Sequence, residues 1–254
     1  MLAITRAVPD AFADALAAVP PDPPIDVARA RVQHAAYQAA LGALGLEVVT
    51  VPADPACPDC CFVEDTAVVA GGVALITRPG APSRQAEGAA VAAVLAARME
   101  VVTMTAPATL DGGDCLRLGR TLYVGRSART SAAGVARAAE VFGPRGLDVV
   151  AVDLPPDVLH LKCVCARLAD DRVLVVRGAL PAGVFGAAAV VWVPPEEAYA
   201  ANVVAVDDRA IVAAGFPRTH DALAGAGFTV HPVATTEFRK ADGSLTCLSI
   251  LIPG

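Results

Sequence analysis

Glu47-Val-Val-Thr-Val-Pro52 is a short β-branched run that ends in proline, and four similar runs follow it. They are Glu100-Val-Val-Thr-Met104, Leu147-Asp-Val-Val-Ala-Val152, Ala189-Val-Val-Trp-Val-Pro194 and Phe228-Thr-Val-His-Pro232. Their starts lie 53, 47, 42 and 39 residues apart. A unit that recurs every roughly 20–50 residues signals a repeat architecture.

Working outward, each run is followed by two apolar segments split by turn residues, the usual mark of a hairpin. Phe62–Ala70 and Val73–Arg78 flank Gly71-Gly72; Leu110–Leu118 and Thr121–Gly125 flank Gly119-Arg120. Leu161–Leu168 and Val173–Arg177 flank Asp170-Asp171, and Asn202–Val206 and Ala210–Ala214 flank Asp207-Asp208. The fifth first strand, Leu245–Ile252, has no return downstream; Leu2–Arg6 resembles Leu75–Arg78 and supplies it. Between hairpin and strand lie Ala-rich segments of helical period: Ile25–Leu44, Ser83–Met99, Ser131–Phe142, a weak one at Pro181–Ala188, and Thr219–Ala226. Asp26, Ser83, Ser131 and Thr219 are the candidate N-caps. The unit is strand, strand, helix, strand. Five copies predict a closed ring of ββαβ blades with pseudo-fivefold symmetry, the last blade closed by the N-terminal strand; the competing reading is an ordinary α/β sandwich.

Composition supports one compact domain over residues 1–254, with 55% hydrophobic and 18% charged residues. No run approaches the roughly 18 apolar residues of a membrane span. Met1–Asp10 lacks the basic-then-apolar order of a signal peptide. The net charge of −6 and the lack of a basic run argue against nucleic acid. Seven cysteines, an odd number with Cys60 beside Cys61, read as reduced cytoplasmic thiols. Pro20-Pro-Asp-Pro-Pro24 is placed as a loop over one end of the ring.

Polar residues at the ends of apolar inner strands need a reason, because burying them unpaired is costly. Asp59, Glu64, Asp65, Asp111, His160 and Cys247 occupy such places in four repeats and would converge on one mouth of the ring. Cysteine, histidine and carboxylates in one cleft suit thiolate catalysis. Each has a plainer reading: Cys247 as a core thiol, His160 as a structural group, Asp111-Gly-Gly-Asp114 as a turn. Cys57-Pro-Asp-Cys60 also has the spacing of a zinc half-site.

Several strings carry a resemblance: Pro58-Asp-Cys-Cys-Phe-Val-Glu-Asp65, Thr77-Arg-Pro-Gly-Ala-Pro-Ser-Arg84, Thr109-Leu-Asp-Gly-Gly-Asp114, Leu159-His-Leu-Lys162 and Leu245-Thr-Cys247. In order along the chain, with Asp26–Ala30 and His34, they resemble dimethylarginine dimethylaminohydrolase, of the pentein superfamily of guanidine-modifying enzymes. The resemblance implies a five-bladed α/β-propeller. It implies hydrolysis of dimethylarginine or monomethylarginine to citrulline and the methylated amine, with no cofactor; the alternatives are another guanidine hydrolase or transferase of that superfamily, such as an arginine deiminase, and a zinc-binding or thiol-sensing protein without turnover. A guanidinium is a poor electrophile, and a thiolate is the side-chain nucleophile suited to it near neutral pH.

By that resemblance Cys247 is the nucleophile, His160 the acid and base, and Asp111 the residue that orients His160. Asp65, Asp111, Glu64 and Asp59 surround the cation, Asp59 taking the α-amino group. Arg84 and Arg129 take the α-carboxylate, with Arg78, Arg120 and Arg126 as alternatives. Leu16 caps the site, Ala241 offers a carbonyl and Phe62 walls the pocket. Cys247 and His160 would also form an inhibitory zinc site. The partner is a small molecule, and the chain a monomer or homodimer. Leu248 stands where vertebrate members tend to carry a second thiol, and the Pro20–Pro24 loop differs from theirs.

Overall fold

The structure is a computed structural model and describes residues 1–253. In chain order its elements are β1 (Leu2–Arg6), α1 (Val27–Ala43), β2 (Glu47–Val51), β3 (Ala67–Ala70), β4 (Val73–Ile76), α2 (Gly88–Ala96) and β5 (Glu100–Thr103). Next come β6 (Cys115–Leu118), β7 (Thr121–Arg126), α3 (Ala132–Phe142), β8 (Asp148–Asp153), β9 (Cys165–Ala169), β10 (Arg172–Val176) and β11 (Ala189–Val193). The remainder are β12 (Val204–Val206), β13 (Arg209–Ala213), α4 (Pro217–Gly225), β14 (Thr229–Val233), α5 (Thr236–Arg239) and β15 (Ile250–Ile252).

The strands form five three-stranded sheets: β3-β4-β5, β6-β7-β8, β9-β10-β11, β12-β13-β14 and β15-β1-β2. In each, an antiparallel pair is extended by a parallel third strand. The parallel step requires a crossover; α2, α3, α4 and α1 supply it in four blades. In the fifth sheet Ile4 pairs with Ile250 and Leu2 with Glu47, so β1 closes the ring as its sequence implied. The fold is the five-bladed α/β-propeller. Inner strands from all five sheets line a narrow channel of about 180 Å³. Hydrophobic clusters fill the gaps between blades; Leu75, Leu110, Leu122, Val124 and Phe142 pack in one of them. No helix among the described residues is long and apolar enough to cross a membrane.

Three local expectations change. Pro181–Ala188 is a chain of turns, not a helix, with Gly183 at φ 76° and Gly186 at φ 60°; left-handed glycines interrupt the hydrogen-bond ladder of a helix. Asp26 and Ser131 cap α1 and α3, accepting from Arg29 N at 3.0 Å and Gly134 N at 3.1 Å. Ser83 and Thr219 cap nothing: α2 begins at Gly88, and the first amides of α4, on Arg218 and Thr219, donate to Glu197 at 3.2 and 2.7 Å. Lastly, every inner strand is shorter than its apolar run. A 3₁₀ turn precedes each one, at Val63–Thr66, Gly112–Asp114, Leu161–Cys163, Pro195–Ala201 and Thr246–Leu248.

Candidate active site

These turns, rather than the strands, carry the polar residues. Val63–Thr66 holds Glu64 and Asp65, Asp111 and His160 precede the next two turns, and Cys247 sits inside the last. The Asp-Gly-Gly-Asp string explains how two turns touch. A Cβ on Gly113 would fall 2.8 Å from His160 Nδ1 and 3.0 Å from Asp65 Oδ1, and one on Gly112 2.0 Å from Glu64 O. Neither position admits a larger residue without moving the groups beside it. Asp111 accepts from Gly80 N at 2.7 Å and pairs with His160 Nε2 at 3.0 Å. Asp114 accepts from Leu161 N at 2.9 Å, fixing the backbone just after His160.

Electrostatics separate the roles. Burial alone would lower the His160 imidazole, but Asp65 and the bond to Asp111 outweigh it and raise its pKa to about 9. His160 is therefore an imidazolium at neutral pH, with Nε2–H given to Asp111 and Nδ1 left to exchange protons. Burial also opposes ionisation of Asp65, but His160 and Arg84 outweigh it and hold the carboxyl at about 2. Asp65 accepts from Gly113 N at 2.8 Å and Arg84 Nη1 at 2.6 Å. Burial, then the charges of Glu64 and Asp65, push the Cys247 thiol well above its ordinary value. Its sulfur accepts from Ser244 N at 3.5 Å.

A cavity of about 540 Å³ joins these groups, within the size range of small-molecule sites. Leu16, Asp59, Phe62, Asp65, Arg84, Arg129, His160, Ala241 and Cys247 all line it. Asp111 is fully buried behind His160 and is not on the wall. Glu64 is not on the wall either. A buried carboxylate needs partners; Glu64 takes Lys162 Nζ and the Thr246 hydroxyl (2.7 Å) and faces the central channel. Arg84 is buried and spends its guanidinium on Asp65, Glu87 and the Phe62 carbonyl. Arg129 is half-buried and makes no ion pair among the described residues, so it is a cation on this wall free to meet an anion. Asp59 accepts from Leu16 N at 3.0 Å, and Asp242 from Ala18 N at 2.6 Å, which holds the Leu16–Ala18 loop over the opening.

Sequence reading missed several wall residues, Tyr199 and Arg239 among them. Tyr199 donates to the Gly243 carbonyl at 3.0 Å, and the Arg239 guanidinium lies 4.7 Å over its ring. Arg78, Arg120 and Arg126 do not line the cavity. Cys57, Cys60 and Cys61 are buried free thiols. Among the described residues, Asp65, Asp111 and His160 form the one group of three that brings metal-binding atoms within 4.8 Å of one another.

Comparison with known proteins identifies the family. The chain is 44% identical over 229 residues to N(G),N(G)-dimethylarginine dimethylaminohydrolase of Streptomyces coelicolor, covering 89% of this chain and 87% of that protein. The chain belongs to the dimethylarginine dimethylaminohydrolase family. A family model described as arginine deiminase matches residues 53–193, a span that holds Asp59, Asp65, Asp111 and His160 but not Cys247. A cysteine-to-serine mutant of the Pseudomonas aeruginosa dimethylarginine dimethylaminohydrolase, complexed with citrulline, superposes with a TM-score of 0.93 at 34% identity, over 98% of this chain and 97% of that one. A histidine-to-glycine dimethylarginine dimethylaminohydrolase, as an adduct with S-methyl-L-thiocitrulline, also gives 0.93 at 34% identity, over 98% of both chains.

Proposed function

We propose that this chain hydrolyses N(ω)-methylated arginines, asymmetric dimethylarginine above all, to citrulline and the methylated amine. One observation carries the reading: Cys247, His160 and Asp65 face a single cavity, with Asp111 bonded to His160 behind it. Family membership supports the same reaction. A substrate guanidinium beside Asp65 brings a positive charge next to Cys247. That charge offsets Glu64 and Asp65, which hold the thiol protonated, so the thiol ionises as substrate docks and its proton leaves to solvent. The thiolate adds to the guanidinium carbon to give a tetrahedral adduct. His160 gives its Nδ1 proton to the departing dimethylamine as the carbon–nitrogen bond breaks, leaving an S-alkylthiouronium. The now neutral His160 takes a proton from water and hydroxide attacks the same carbon; as the carbon–sulfur bond breaks, the hydroxyl proton passes to the departing sulfur, releasing citrulline and restoring the Cys247 thiol and the His160 imidazolium.

Arg129 suits the α-carboxylate and Asp59 the α-amino group, with the Ala241 carbonyl and the Leu16 loop bounding that end. Asp111 acts through His160, which it orients. Arg84 acts by fixing Asp65. Seven free thiols support a reducing compartment.

The test is a citrulline assay with dimethylarginine, monomethylarginine and arginine side by side. Release from the methylated substrates, with arginine poor or inert, is the expected result. Citrulline and ammonia from arginine, with dimethylarginine inert, would overturn it.

A further inference from the structure

The turn of the fourth blade, Pro195–Ala201, gives the cavity wall Tyr199 alone. The residue that follows it, Asn202, is buried and looks inward. Its Nδ2 donates to the Lys162 carbonyl at 3.0 Å and to Thr246 Oγ1 at 3.0 Å, and its Oδ1 accepts from Thr246 N at 2.8 Å. Lys162 is two residues after His160, and Thr246 directly precedes Cys247. One amide therefore holds the backbone of the turn that carries the proton donor and of the turn that carries the nucleophile. The Thr246 hydroxyl in turn donates to Glu64 at 2.7 Å, so the link is anchored in the first blade as well.

We propose that Asn202 is a positioning residue that sets the spacing between Cys247 and His160. The inference rests on the hydrolase reading above. A primary amide suits this place: it offers donors and an acceptor at once, in a plane fixed by three bonds, and carries no charge beside a thiol that must ionise. None of its partners is on the substrate-binding wall formed by Asp59, Asp65 and Arg129. Its loss should therefore fall on the chemical step and spare binding, since a displacement of about 1 Å between reacting groups costs on the order of 10²-fold in rate.

The experiment pairs steady-state citrulline release with the pH profile of Cys247 alkylation by iodoacetamide, the site located by peptide mass. Asn202→Ala should lower kcat on the order of 10²-fold, leave KM close to wild type and alter the alkylation profile. Asn202→Asp matches the amide in size and keeps the acceptor but loses both donors. Its deficit relative to wild type should shrink as pH falls and its carboxyl regains a proton, a recovery that a purely structural role would not show. A kcat near wild type in Asn202→Ala, a loss confined to KM, or failure of both variants to fold would each overturn the proposal. Should the wild-type chain release no citrulline, the hydrolase reading fails instead, and the alkylation profiles still test Asn202 because they need no substrate.

Discussion

Two cavities lie back to back in this ring, and they differ in kind. The larger holds His160, Cys247, Asp65 and Arg129; the smaller is a channel walled mostly by apolar inner strands. Three pairs of sequence neighbours are divided between them. Glu64, Lys162 and Thr246 face the channel, and Asp65, Cys163 and Cys247 face the active-site cavity. The partition is the buried Glu64–Lys162 pair with the Thr246 hydroxyl. A single position along a 3₁₀ turn thus decides whether a polar side chain serves chemistry or closure.

The largest effect should separate two thiols. Cys247→Ser should lower turnover on the order of 10⁵-fold with no loss of Tm, whereas Cys115→Ser, on the channel wall, should leave turnover largely intact. Equal losses in a citrulline assay would erase the distinction between the cavities. Next comes the partition. Lys162→Met strands Glu64 as a buried, unpaired charge, and denaturant unfolding should show a loss of about 3–5 kcal/mol; an unchanged midpoint would mean that Glu64 is already neutral or solvated. Arg129→Ala should raise KM roughly 10–100-fold, since a charged hydrogen bond contributes about 1.5–3 kcal/mol, while kcat changes little. Arg167→Ala at the channel should do neither. The mildest test is pH. His160 must be protonated to act as an acid, and its pKa is raised to about 9. Its acid form is present below that value and lost above it, so kcat/KM should decline about tenfold per unit on the alkaline side. A decline already complete near pH 7 would remove His160 from the acid role.

The ring was legible because its strands recur and their β-branched runs are unmistakable. The 3₁₀ turns were not: Leu161–Leu168 is mostly apolar, with only Lys162 and Arg167 charged, and such a run does not distinguish a turn packed in the interior from a strand. For the same reason Glu64 and Asp65 looked interchangeable in sequence, and only the turn sends them to opposite sides. Arg239 carried no signal because arginine is ordinary on any surface; what marks it is the Tyr199 ring beneath it. Asp26 and Ser131 were readable as caps from local sequence, whereas Glu197 caps α4 from an adjoining turn, which no local pattern reveals.

The pairing of β1 with β15 joins positions 246 residues apart, Ile4 with Ile250. The seam of the ring is thus also the mount of its nucleophile. Any event that peels β1 away leaves the carboxylates and His160 on sheets that are still intact, while the sheet that carries Cys247 loses its middle strand. An opened ring of this kind keeps its carboxylates and imidazole in place while the nucleophile alone loses its support.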